Sequence, residues 1–92
     1  MERRYKIYII TTEGCHACEI QVKNVKKALE ETDRKIELEV RDFKEMPKDF
    51  LSEHFITDYP STVMLINGKV RCVNVGTTSV NNIKEQIDVY LN

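Results

Sequence analysis

The chain is 92 residues long, 41% hydrophobic and 32% charged, with 14 Lys and Arg against 15 Asp and Glu for a net charge of −1. One domain spanning 1–92 is expected, since a chain of this size supports a single core. The near-neutral, scattered charge argues against nucleic acid as a partner, and no apolar run approaches the ~18 residues that cross a bilayer.

In chain order, Tyr5 to Ile10 is an apolar run broken only by Lys6, which suits a central strand buried on both faces. The run is too short for a secretory leader, so a cytoplasmic location is expected, where thiols stay reduced. Thr11-Thr12-Glu13-Gly14 is a loop leading into Cys15. From His16 to Glu31 the pattern turns helical: Cys18, Val22, Val25 and Leu29 make one stripe at a period near 3.6. Cys18 then lies on the buried stripe, and Cys15 sits at the helix entry, where a side chain can stay exposed.

Ile36, Leu38 and Val40 alternate with Glu37, Glu39 and Arg41, a half-buried strand nearer a sheet edge. Pro47 opens a short helix through Phe55, with Phe50, Leu51 and Phe55 as apolar anchors. Thr57-Asp58-Tyr59-Pro60 is a turn, and Thr62 to Ile66 is a strand. Asn67-Gly68 is a two-residue hairpin signal, and Lys69 to Val75 the return strand. Gly76 ends it, and Ser79 caps a last helix carrying Ile83, Ile87 and Tyr90 or Leu91. The order β-α-β-α-β-β-α predicts an α/β fold, a four-stranded mixed sheet with helices on both faces.

Three cysteines, with Cys15 and Cys18 close in sequence and Cys72 apart, point to redox chemistry or metal binding rather than a disulfide framework. At a helix start, unpaired N–H groups and the dipole lower a thiol pKa from ~8.5 toward 7 or below. Cys15 is therefore the expected attacker, and Cys18, one turn on, the resolving thiol. His16 and Ala17 tune the pair: a charged imidazole favours the thiolate, whereas Glu13 and Glu19 oppose it if close. A closed zinc site needs four ligands; Cys72 and His54 have no knuckle spacing to the pair, so no metal is expected. An inert core pair would fit Cys18 but not Cys15. Cys72 reads as a small buried hydrophobe and His54 as a surface or dipole-facing residue. Tyr59 is either the rim of a substrate groove or plain packing. On residues alone the Tyr59-Pro60 bond could be either isomer, trans being the commoner.

Three markers in order resemble the thioredoxin superfamily: a strand, Gly14-Cys15-His16-Ala17-Cys18 and a helix; Leu51 to Phe55 leading into Tyr59-Pro60-Ser61-Thr62 and the Asn67-Gly68 hairpin; and Val75-Gly76 before a terminal helix. The resemblance covers Tyr5 to Leu91. It implies a thiol–disulfide oxidoreductase that acts on protein disulfides and is recycled by a reductase or by glutathione. It also implies a cis Pro60 beside the cysteines, with the Tyr59 backbone and Gly76 in the substrate-binding surface. A monomer without a bound cofactor is expected. The departures are specific. Tryptophan is absent, His16-Ala17 replaces Gly-Pro, and Ile9 stands where thioredoxins place a buried acid. The chain has glutaredoxin length, yet Val75-Gly76-Thr77-Thr78-Ser79 lacks the Gly-Gly-Asp that holds glutathione. Two alternatives therefore stand beside the dithiol reductant: a glutathione-dependent glutaredoxin, and a redox-inactive module that binds a partner or a metal.

Overall fold

Seven regular elements are present in the computed structural model, which describes residues 2–92: β1 (Tyr5–Thr11), α1 (His16–Glu30), β2 (Ile36–Asp42), α2 (Lys48–Glu53), β3 (Ser61–Ile66), β4 (Lys69–Val75) and α3 (Val80–Tyr90). The strands form one sheet in the order β2-β1-β3-β4. β1 runs parallel to β2, with Thr11 opposite Asp42. It is antiparallel to β3, with Ile10 opposite Ser61, and β3 is antiparallel to β4. The β-α-β-α-β-β-α order and the mixed sheet are those the sequence predicts.

Side chains alternate across β1 because successive Cβ atoms point to opposite faces. Ile7 and Ile9 pack with Val25 and Ala28 of α1 and Ile83 and Ile87 of α3, whereas Ile10 joins Ile56, Val63 and Leu65 on the face that α2 covers with Phe50 and Leu51. Helices thus lie on both faces. All six residues of β3 are buried, as a strand flanked on both sides and covered on both faces must be. Each fully buried Ile contributes ~1.5–3 kcal/mol of transfer free energy, so these two clusters fix which face each helix takes. The hairpin turns through Asn67 and Gly68, both at positive φ (51° and 80°), the conformation that favours Asn-Gly there. The Asn67 side chain also accepts from the Arg4 N–H at 2.8 Å, tying the turn to the chain entering β1.

The packing departs from the apolar pattern at four places. On α1 the fully buried residues are Cys18, Gln21, Val25 and Ala28, while Val22 and Leu29 sit at the flank. The buried stripe is rotated toward α3 and takes in a polar residue that apolar periodicity passes over. α2 ends at Glu53, and Phe55 is no anchor: its φ is +55° and it is 87% exposed. Val40 is 45% exposed, because the end of β2 runs past the cover that partly buries Ile36 and Leu38. A short 3-10 turn over Phe43–Glu45 follows β2, held by a reciprocal capping box between Asp42 and Glu45, polar contacts that hydrophobic periodicity does not register.

Candidate active site

The register brings four segments to one end of the sheet. Thr11 and Asp42 end the parallel pair; Ser61 pairs with both Ile10 and Val75; and Gly76 N–H donates to the Pro60 carbonyl at 2.8 Å. The loop after Thr11 leads through Gly14, at φ +66°, where a left-handed turn favours glycine. It delivers Cys15 to the N-cap of α1, with extended backbone at φ −100° and ψ 101°. There Cys15 Sγ accepts a hydrogen bond from the Cys18 N–H at 3.0 Å, so a sulfur occupies the place that an Asp or Ser oxygen takes at other helix starts. The two residues are joined as a disulfide with their Cα atoms 5.2 Å apart. Cys18 is 4% exposed, while Cys15 is half-buried at the surface. Once the bond is opened, the helix N-terminus and this N–H favour a thiolate on Cys15.

His16 and Ala17 complete the turn. His16 points outward, its Nδ1 lying 3.4 Å from Glu19 Oε2, and both side chains are largely exposed. Ala17 is half-buried. The Tyr59-Pro60 bond is cis, and Pro60 is buried. The Tyr59 ring stacks on Phe43 with centroids 5.1 Å apart. Burial, then the nearby Asp42 and Asp58 carboxylates, push its phenol above the usual tyrosine range. Gly76 adopts φ +87°. Cys15, Cys18, Tyr59, Pro60 and Gly76 thus belong to one end of the sheet.

Cys72 and His54 do not join them. Cys72 is half-buried against the core beneath α1 and α3, and burial pushes its thiol pKa up. His54 closes α2, its Nδ1 donating to the Phe50 carbonyl at 2.8 Å and its ring packing on Phe50. Among the described residues no three His, Cys, Asp or Glu converge as a metal site would require.

Sequence reasoning missed Gln21. Its side chain is fully buried, donates from Nε2 to Thr62 Oγ1 at 2.8 Å and accepts from the Thr78 N–H at 2.7 Å. Asn24 adds a bond to the Thr78 carbonyl at 2.9 Å. One amide therefore links the helix bearing Cys18, the strand that follows Pro60 and the loop that follows Gly76. The signal was present: Gln21 lies one turn after Cys18 and one before Val25, a polar residue on a buried stripe. Ile9 is buried in the core, with no carboxylate in its place.

A family model described as a thioredoxin domain matches residues 5–88. Solved structures agree in fold. Thioredoxin-2 of the malaria parasite, described as a component of its protein secretion machinery, superposes with a TM-score of 0.78 at 17% identity, covering 97% of this chain and 85% of that one. Another malarial protein gives 0.76 at 17% identity over 97% and 99%. Chloroplastic thioredoxin z gives 0.75 at 19% over 96% and 79%. A comparison with curated proteins gave no significant match. The chain belongs to the thioredoxin domain family, and with a disulfide-forming Cys15–Cys18 pair at its helix start this supports a general redox-active role.

Proposed function

Taking family membership as the premise, we propose that the protein is a thiol–disulfide oxidoreductase that reduces protein disulfides by dithiol exchange. The observation that carries the reading is the asymmetry of the pair: Cys15 at the helix N-cap and accessible, Cys18 one turn on and 4% exposed. The Cys15 thiolate attacks one sulfur of the substrate disulfide, forming a mixed disulfide and releasing the other sulfur as a thiolate. Cys18, deprotonated, then attacks the Cys15 sulfur. The second substrate thiolate leaves, and the Cys15–Cys18 disulfide has taken up the bond that the substrate lost. Two electrons pass to the substrate, whose thiolates take up protons from the protein thiols or water. In this reading the electrons reside in the cysteine pair, no bound cofactor is needed, and a reductase or glutathione of a reducing compartment such as the cytosol restores the dithiol.

Gly76 and the Tyr59-Pro60 segment supply the wall against which the substrate backbone lies. Insulin reduction with each cysteine replaced in turn tests the assignment. Cys15→Ser abolishes turnover, while Cys18→Ser accumulates a mixed disulfide detectable by mass. Full activity of Cys15→Ser sinks the reading.

A further inference from the structure

A cavity of about 450 Å³ opens beside the cysteine pair between the start of α1 and the end of β2. Both cysteines line it, together with Thr12, Glu19, Val22 and Val40. We propose that this groove is a docking slot for the polypeptide that flanks a substrate's disulfide, taking an apolar side chain against Val22 and Val40 and a basic one beside Glu19. The proposal rests on the disulfide-reducing reading above and names the class of substrate.

The geometry separates this slot from the Pro60 wall. In the order β2-β1-β3-β4, the slot lies on the β2 side of β1, whereas Pro60 and Gly76 lie on the β3 side. A chain laid across Cys15 can therefore be held on both sides of its disulfide. The apolar part is built by an incomplete cover. Ile36 and Leu38 of β2 pack on the core beneath α1 and α3, but Val40, two residues further along the same face, stays 45% exposed, with Val22 of α1 across the gap. Solvated valine beside a reactive sulfur gains from a partner that removes it from water.

Charge selects the rest of the occupant. No Lys or Arg lines the slot. Glu19, 78% exposed, is its carboxylate, with exposed Glu13 in the loop that precedes Cys15. Among the described residues its side-chain partner is His16, at 3.4 Å from one oxygen, which leaves the other open to a Lys or Arg of the substrate. Arg3, Arg4, Lys35 and Lys69 lie at the far end of the strands and at the hairpin, and Arg41, beside Val40 at the cysteine end of β2, is paired with Glu39 at 2.8 Å. An approaching basic segment is thus drawn to the cysteine end, an effect that salt screens.

Two peptide disulfides test this, one with Leu and Lys beside the half-cystine and one with Gly and Glu. The parent is expected to favour the Leu/Lys peptide at least tenfold in kcat/KM at low salt, with the ratio falling in 0.5 M salt. Val40→Ser, which removes the apolar seat, and Glu19→Lys, which inverts the charge there, should each lower that ratio about fivefold. Ratios within twofold of the parent in both variants overturn the slot. Docking is read separately, without turnover, by titrating the oxidised protein with the Leu/Lys peptide carrying Ser for Cys and following amide NMR shifts. Shifts at Thr12, Val22 and Val40 support the slot, and shifts confined to Tyr59–Gly76 overturn it. If the titration marks the slot but no disulfide, including hydroxyethyl disulfide, is reduced, the oxidoreductase reading falls and the binding site stands.

Discussion

Replacing Gln21 with Met removes every hydrogen bond of the buried amide, including a long one to Thr78 Oγ1 at 3.5 Å, while keeping its length and most of its volume. The two short bonds lost run to Thr62 Oγ1 (2.8 Å) and from the Thr78 N–H (2.7 Å). A net ~0.5–1.5 kcal/mol for each gives a loss of ~2 kcal/mol, because Thr78 is only half-buried and water can partly replace its partner. For a domain of this length ~1 kcal/mol moves the melting temperature by ~4–8 °C, so a fall of ~8–16 °C is expected. Gln21→Ala should fall further by its cavity. Gln21→Glu keeps the acceptor for Thr78 but buries a carboxylate. Burial raises that group's folded pKa above its unfolded value of ~4.3. Its penalty is therefore absent at pH 4 and grows as pH rises. Thermal melts of the oxidised proteins at pH 4 and pH 7 read all three variants. A cycle with Thr62→Val should isolate a coupling of ~1 kcal/mol. If Gln21→Met melts within ~2 °C of the parent, well inside the shift that ~1 kcal/mol produces, the amide does not hold the three segments together.

Phe55 at φ +55° and 87% exposed carries a left-handed backbone with little packing in return. Phe55→Asn should raise the urea midpoint by the equivalent of ~0.5–1 kcal/mol, and an unchanged midpoint counts against that account. Glu39 is held below the usual carboxylate range by Lys6. Its contribution is present above the unfolded carboxylate pKa and lost as pH falls through the folded one. The stability gap between the parent and Glu39→Gln should therefore close in acid melts, and a gap that persists at pH 2 refutes it. Tyr59, its phenol raised by burial and by Asp42 and Asp58, should ionise above the usual tyrosine range, read as the ultraviolet titration step that Tyr59→Phe removes. The unfolded chain then releases that proton first, so native stability falls as pH rises beyond ~10; Tyr59→Phe should remove this part of the alkaline loss. In the reduced protein Cys72 should be alkylated far more slowly than Cys15, since burial holds its thiol protonated; equal rates by mass spectrometry contradict this.

Much of the fold was legible because its strongest signals are local. The run at Tyr5–Ile10, the Asn67-Gly68 hairpin and the Ser79 cap each specify an element without knowing its neighbours. The Cys15–Cys18 pair was legible for the same reason, since its meaning depends on one helix start. What was not legible depends on tertiary cover. Val40 continues the alternation of Ile36 and Leu38, and only the placement of α1 leaves it in water. Gln21 is polar, so a pattern that counts apolar residues assigns the stripe to Val22 and Leu29 instead. Phe55 looks like an anchor by composition but lies beyond the last turn of α2, where the backbone turns left-handed and carries the ring outward. Residues with the same local pattern thus diverge according to what packs over them.

The two outer strands bear on how the protein behaves when crowded. β4 pairs with β3 through a register break in which Met64 faces Cys72 and Leu65 faces Val70, leaving Arg71 unpaired as a bulge. β2 presents Glu37, Glu39 and Arg41 along the opposite margin. A bulge twists a free strand away from flat pairing, and charged side chains along a margin would lose water against a docking strand. Neither margin offers the long, flat ladder on which further chains could stack. Concentrated samples should therefore resist fibrous aggregation, and removing Arg71 to regularise the ladder should weaken that resistance first at β4.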